Sequence, residues 1–196
     1  MAGFKVAVNG KQLAAVASDG FNIITVQVHG DVKGDELATV DVFGGLYEGK
    51  QSDSHLLWVH DHEIKAGEEI EIIFCENIDT SHRGKAIEEL HPEVEPEIGP
   101  QQSMEELFSD LATMPKRRER FAFELVPPNG EVFHSSTDPE EYGFHLSAMW
   151  RWVKPDEARV SLTSNSLDGI KRQESGRKHA GFIMQYGQGV KFRVGT

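Results

Sequence analysis

Along the first 80 residues apolar side chains recur at every second position, the period of strands that bury one face. Residues 5–8 run into Asn9-Gly10, a residue pair that favours a two-residue hairpin turn, and residues 13–17 return from it. Further strands are predicted over 21–28, 37–43, 55–60 and 69–75, with Ile70, Ile72 and Phe74 on one face of the last and Glu69 and Glu71 on the other. The 65–68 stretch supplies the turn before that strand, and Gly44-Gly45 reads as a turn as well.

Between residues 77 and 102 the alternation stops. Pro92, Pro96 and Pro100 stand among Glu88, Glu89, Glu93, Glu95 and Glu97, which predicts a linker or extended arm. Ser103 followed three residues later by Glu106 is a capping box, and Met104, Leu107, Phe108, Leu111 and Met114 fall on one helical stripe that Pro115 ends.

Alternation then resumes. Phe121, Phe123 and Leu125 share a face, and Pro127-Pro128-Asn129-Gly130 turns the chain into a return strand over 131–135, making a hairpin. Asp138-Pro139 reads as the start of one helical turn. Phe144, Leu146, Ala148, Trp150 and Trp152 line one side of a long strand, while residues 164–176 read as a mobile loop suited to binding. Phe182, Met184 and Tyr186 are expected to meet Val190, Phe192 and Val194 in a terminal hairpin across Gly187-Gln188-Gly189.

The predicted fold is therefore mainly β, with two antiparallel, sandwich- or barrel-like units. They are joined by an acidic, proline-containing arm and one short amphipathic helix. The division that follows is an acidic β domain over 1–80, the arm over 81–102, and the helix with a second β domain over 103–196.

Charge adds an asymmetry that the pattern does not show. Residues 1–98 hold 7 Lys and Arg against 19 Asp and Glu, a balance of −12, whereas residues 99–196 hold 13 of each. Such a surface repels nucleic acid and anionic lipid and attracts basic proteins. The basic cluster at 116–120 reads as a complement to the negative end of the preceding helix. No apolar run is long enough to cross a bilayer, and the N-terminal residues lack the layout of a signal peptide. One cysteine, Cys75, permits no internal disulfide, and a cytoplasmic location is expected.

Candidate chemistry is sparse. No nucleophile elbow or phosphate loop is present, Cys75 lies in an apolar strand, and no motif asks for a cofactor. On an uninterrupted strand His60 and His62 project to one face, as two imidazoles sharing a metal ion must, with His134 or His145 as further ligands. The expected function is a non-enzymatic protein-interaction module, such as an adaptor, inhibitor or immunity-like protein. Its acidic surface, with Asp31, Asp35, Glu36, Asp53, Asp61 and Glu63, would dock a basic protein. The alternatives are a structural subunit of a phage or secretion apparatus, and a metal-binding β-fold enzyme using His60 and His62.

Overall fold

A computed structural model describes residues 1–48, 51–92 and 102–196, without the side chains of residues 48 and 51–54. Twelve strands and three short helices follow one another as β1 (Ala2–Val8), β2 (Lys11–Ala17), β3 (Ile23–Asp31), β4 (Ala38–Glu48), β5 (Gln51–Ile64), β6 (Ile70–Glu76), α1 (Ile87–Leu90) and α2 (Met104–Thr113), then β7 (Ala122–Val126), β8 (Phe133–Ser136), β9 (Glu141–Arg151), β10 (Lys154–Ser166), α3 (Leu167–Lys171), β11 (Arg177–Gln185) and β12 (Gly189–Gly195). The strands form two antiparallel six-stranded sheets, ordered β2-β1-β6-β12-β7-β8 (sheet A) and β11-β10-β9-β3-β4-β5 (sheet B).

The two β-rich units are these sheets, and their boundary does not coincide with the arm. Each sheet takes three strands from either side of it: β12 pairs with β6, and β9 pairs with β3 along nine register positions. Period-2 patterning marks which residues are strands but carries no information on which strands pair. One continuous core joins both sheets. Phe4, Val6, Ile70, Ile72, Phe74, Phe123 and Phe192 point inward from sheet A to meet Ile24, Val26, Val40, Phe144, Leu146, Val160 and Met184 from sheet B. Phe144 ties the layers together, with its ring centroid 4.8 Å from Phe121, 5.0 Å from Phe123 and 5.9 Å from Phe192. Each such side chain contributes about 1.5–3 kcal/mol by leaving water, so the inward faces supply the main driving force for sandwich formation.

Local signals hold where they depend on turn chemistry alone. Asn9 (φ +51°) and Gly10 (φ +76°) occupy the left-handed region that the β1–β2 hairpin requires, and Gly130 (φ +78°) does so between β7 and β8. The capping box of α2 forms in both directions: the Ser103 hydroxyl accepts the Glu106 N–H, and the Glu106 carboxylate accepts the Ser103 N–H at 2.8 Å.

Several expectations are overturned. The turn at Gly187 reverses the chain, but β11 and β12 belong to different sheets and make an arch rather than a hairpin. Gly44-Gly45 runs inside β4, where a Cβ on Gly44 would lie 2.9 Å from the Ile23 carbonyl. Residues 164–176 hold the end of β10 and α3, capped by the Ser166 hydroxyl on the Gly169 N–H, instead of a loop. Asp138 begins a turn and not a helix, accepting the Glu141 N–H on its carbonyl. Trp150 is buried, whereas Trp152 is 63% exposed at the tip of the β9–β10 hairpin. The stripe of α2 has no buried residue, and its Met104, Leu107 and Met114 are exposed.

The described part of the arm is a strap across one open side of the sandwich. The hydroxyls of Thr80 and Ser81 accept the N–H groups of Ala17 and Ala15 on the β2 edge, and Lys85 pairs with Leu57 on β5. On the opposite side, a buried polar network joins β8 to β9, β10 and β11. The Ser164 hydroxyl donates to Glu141 at 2.5 Å and lies 2.7 Å from His179 Nε2, whose Nδ1 lies 2.7 Å from the Ser135 hydroxyl. Arg177 donates to Glu141 from Nε (3.0 Å) and Nη2 (2.7 Å). Both devices satisfy edge groups that an open sandwich leaves bare.

Candidate functional site

The outer face of sheet B carries most of the unexplained polar chemistry. β3 places His29 there and β4 places Thr39 and Asp41, because Val28, Val40 and Val42 take the inward positions. β5 departs from regular pairing opposite Asp41. Val40 pairs with His62 and Val42 with Val59, so one residue of β4 faces two of β5, His60 and Asp61. This is a β-bulge, with Asp61 in the left-handed region at φ +49°.

Asp41 organises the bulge. Its Oδ1 accepts the Asp61 N–H at 2.9 Å and lies 3.2 Å from His60 Nδ1, and its Oδ2 lies 3.6 Å from His29 Nδ1. His60 Nε2 lies 3.3 Å from Asp61 Oδ2, the ring of His91 stands edge-on to that of His60, and His29 Nε2 faces the Thr39 hydroxyl at 3.2 Å. His145 stands opposite His29 in the β3–β9 register, where burial and the neighbouring imidazole hold its pKa below the usual histidine value.

Next to the bulge is a cavity of about 470 Å³ lined by four carboxylates, Asp31, Glu36, Asp61 and Glu63, together with His29 and Thr39. Among the described residues no Lys or Arg lines it. Its wall is the β3–β4 connection, which the sequence pattern pins locally. Asp31 Oδ1 accepts the N–H groups of Lys33 (2.8 Å) and Gly34 (2.7 Å), and Arg118 donates to the carbonyls of Asp31 and Asp35 from outside. Gly30 allows the connection to fold close, since a Cβ there would lie 2.5 Å from the Leu37 carbonyl.

Of the residues singled out from sequence, Asp31, Glu36, Asp61 and Glu63 are brought together in this cavity. Asp35 lies beside it in an ion pair with Arg117 at 2.6 Å, and Asp53 is outside the described side chains. His60 belongs to the cluster but His62 does not, because the bulge puts it on the core-facing side of β5, opposite Val40. His134 sits on β8 in sheet A, far from a shared ligand set. Missed from sequence were His29, Thr39 and Asp41. The only signal for Asp41 was a carboxylate inside an apolar strand run, Val40-Asp41-Val42.

Compared with protein-family models, curated proteins and solved structures, this chain matches none. Its function must be read from its own chemistry.

That chemistry also redraws the charge asymmetry. Because both sheets mix the two halves of the chain, Asp35, Glu69 and Glu71 of the first half meet bases of the second. On the outer face of sheet A, Glu69 pairs with Lys191 (3.0 Å) and Arg193 (2.6 Å), and Arg193 also pairs with Glu124 (2.6 Å). The basic cluster at 116–120 is similarly engaged, with Arg117 and Arg118 clamped on the β3–β4 connection. The helix end it was expected to complement is instead capped by Lys33, which donates to the carbonyls of Leu111 and Ala112. Asp31, Glu36, Asp61 and Glu63, by contrast, share one cavity that no Lys or Arg among the described residues lines.

Neither Ser164 nor Cys75 offers an activated nucleophile. Ser164 has no exposed surface, and the His179 nitrogen remote from it faces a serine hydroxyl where a triad would place a carboxylate. Burial pushes the Cys75 thiol pKa up, away from the thiolate form, despite the opposing effect of Lys5. Among the described residues no helix is long and apolar enough to cross a membrane.

Proposed function

We propose that this chain is a non-enzymatic protein-interaction module that receives a lysine or arginine side chain of a basic partner in the acidic cavity of sheet B. The observation that carries this reading is the convergence of Asp31, Glu36, Asp61 and Glu63 on one 470 Å³ cavity that no Lys or Arg among the described residues lines. A guanidinium or ammonium group entering it exchanges water for several carboxylate oxygens, and the shared sign of the walls steers its approach. The lone, half-buried Cys75 suits a reducing compartment such as the cytoplasm.

The probe is a hexa-arginine peptide, titrated into the protein by calorimetry at low and moderate salt. Removing two rim charges with Glu36→Gln and Glu63→Gln should weaken binding about tenfold, taking up to ~1 kcal/mol for each partly exposed pair. Raising salt from about 0.01 to 0.15 M shortens the screening length from ~30 to ~8 Å and should weaken wild-type binding far more than that of the double variant. Equal affinities for wild type and double variant at both salt concentrations would remove the cavity from consideration.

A further inference from the structure

At the bulge, His60 faces a conflict of donors and acceptors. Both of its ring nitrogens lie against carboxylate oxygens, Nδ1 at 3.2 Å from Asp41 and Nε2 at 3.3 Å from Asp61. A neutral imidazole carries a single N–H, so one of these contacts sets a nitrogen lone pair against an anionic oxygen. Asp41 Oδ1 already accepts the Asp61 N–H, and among the described residues neither carboxylate has a Lys or Arg partner. The cluster lacks one positive charge at its centre. A metal ion bound by one His60 nitrogen and the carboxylates would supply it.

We propose that Asp41, His60 and Asp61 form a binding site for a divalent transition-metal ion, with zinc as its working probe. One ligand atom from each of the first three residues can be chosen so that all lie within 4.8 Å of one another. Around a tetrahedral zinc with bonds of about 2.0–2.1 Å, donors stand roughly 3.3–3.5 Å apart. The His60 Nδ1–Asp41 separation of 3.2 Å already has that size, and Asp61 has only its exposed side chain to swing. His29 Nδ1, 3.6 Å from the other oxygen of Asp41, stands outside this group of three as a neighbour of the site.

The donor chemistry selects the ion class. Imidazole nitrogen with carboxylate oxygen suits zinc and its first-row neighbours, whereas calcium requires six to eight oxygens and copper(I) prefers sulfur. The bulge does the positioning: a regular strand would send His60 and Asp61 to opposite faces, and the left-handed Asp61 places both beside Asp41. Asp41 is buried at the base, while His60 and Asp61 reach solvent, so a bound ion keeps an open coordination position. The site does not rest on what the neighbouring cavity binds, although Asp61 contributes to both.

Calorimetric titration of chelator-treated protein with zinc chloride, with metal content checked by elemental analysis, tests the site. One equivalent of zinc is expected to bind. His60→Gln and Asp61→Asn, both on the exposed side where folding is least at risk, should each weaken binding at least about tenfold. His62→Ala, on the other face of β5, should leave binding unchanged, and so should Glu36→Gln with Glu63→Gln, which separates this site from the partner cavity. Imidazole nitrogen NMR should show one His60 nitrogen shifting on zinc addition. No zinc uptake, or zinc binding that survives His60→Gln but is lost in His62→Ala, would overturn the proposal.

Discussion

Replacing Glu141 with glutamine probes the network that closes the β8–β11 side of the sandwich. The carboxylate accepts four hydrogen bonds: from Ser164 Oγ (2.5 Å), Arg177 Nε (3.0 Å), Arg177 Nη2 (2.7 Å) and the Asp138 N–H (2.7 Å). A glutamine of the same shape keeps one oxygen and turns an NH₂ group toward the remaining donors. Charge-assisted bonds of this type contribute about 1.5–3 kcal/mol each when buried, but Arg177 is 41% exposed and solvent attenuates its share. A net loss of about 2–3 kcal/mol is expected, which for a chain of this size lowers Tm by about 4–12 °C. The pH dependence gives a second handle. Burial alone would raise the Glu141 pKa, but the hydrogen bonds from Arg177, Ser164 and Asp138 outweigh it and hold it below the usual carboxylate value. Its stabilisation is therefore complete above pH ~4.5 and is lost as pH falls through the lower folded-state value. His179 is also depressed, first by burial and then by Arg177, so it favours folding above pH ~6.5 and costs stability as pH falls below that. Circular-dichroism melts from pH 7 to 3 should show wild-type Tm falling in both windows. Glu141→Gln should start lower and fall less below pH 4.5. A variant whose Tm stays within 1 °C of wild type, with the same acid slope, would refute the reasoning.

Two further outcomes follow from single side chains. Lys33→Ala removes the ammonium that caps the carbonyl end of α2, costing about 1 kcal/mol, and limited proteolysis should cut near residues 102–116 faster than in wild type. Trp150→Ala should cost about 3–5 kcal/mol in urea unfolding, whereas Trp152→Ala at the hairpin tip should stay within ~0.5 kcal/mol and remove the acrylamide-quenchable part of the fluorescence.

How far the sequence was readable depended on the range of the interactions involved. Alternation along β6, β7 and β9 located their inward residues correctly, because side-chain period is a property of one strand. The Asn9-Gly10 turn and the Ser103 capping box were equally legible, each being settled within four residues. Sheet membership was not, and Gly187 shows why: a positive φ reverses the chain whether the returning strand pairs or crosses to the other sheet. The candidate site was half visible. Four of the acidic residues chosen from sequence converge, but the pairing of His60 with His62 assumed an unbroken strand, and a single extra residue between Val59 and His62 transfers the partnership to Asp41 and Asp61. Asp41 escaped notice because only the bulge gives it anything to hold.

The placement of β12 has a bearing on how the molecule comes to be made. This last strand lies between β6 and β7 and pairs with both, so without it sheet A is two separate pieces, β2-β1-β6 and β7-β8. A ribosome elongating the chain will have released nearly all the core-forming residues while Ile70, Ile72, Phe123 and Leu125 still lack the neighbour that joins them. Closure of the sandwich thereby waits until β12, the last of the twelve described strands, has been made. Until it happens the nascent protein presents two bare strand edges to every chaperone, and every sticky neighbour, that it meets.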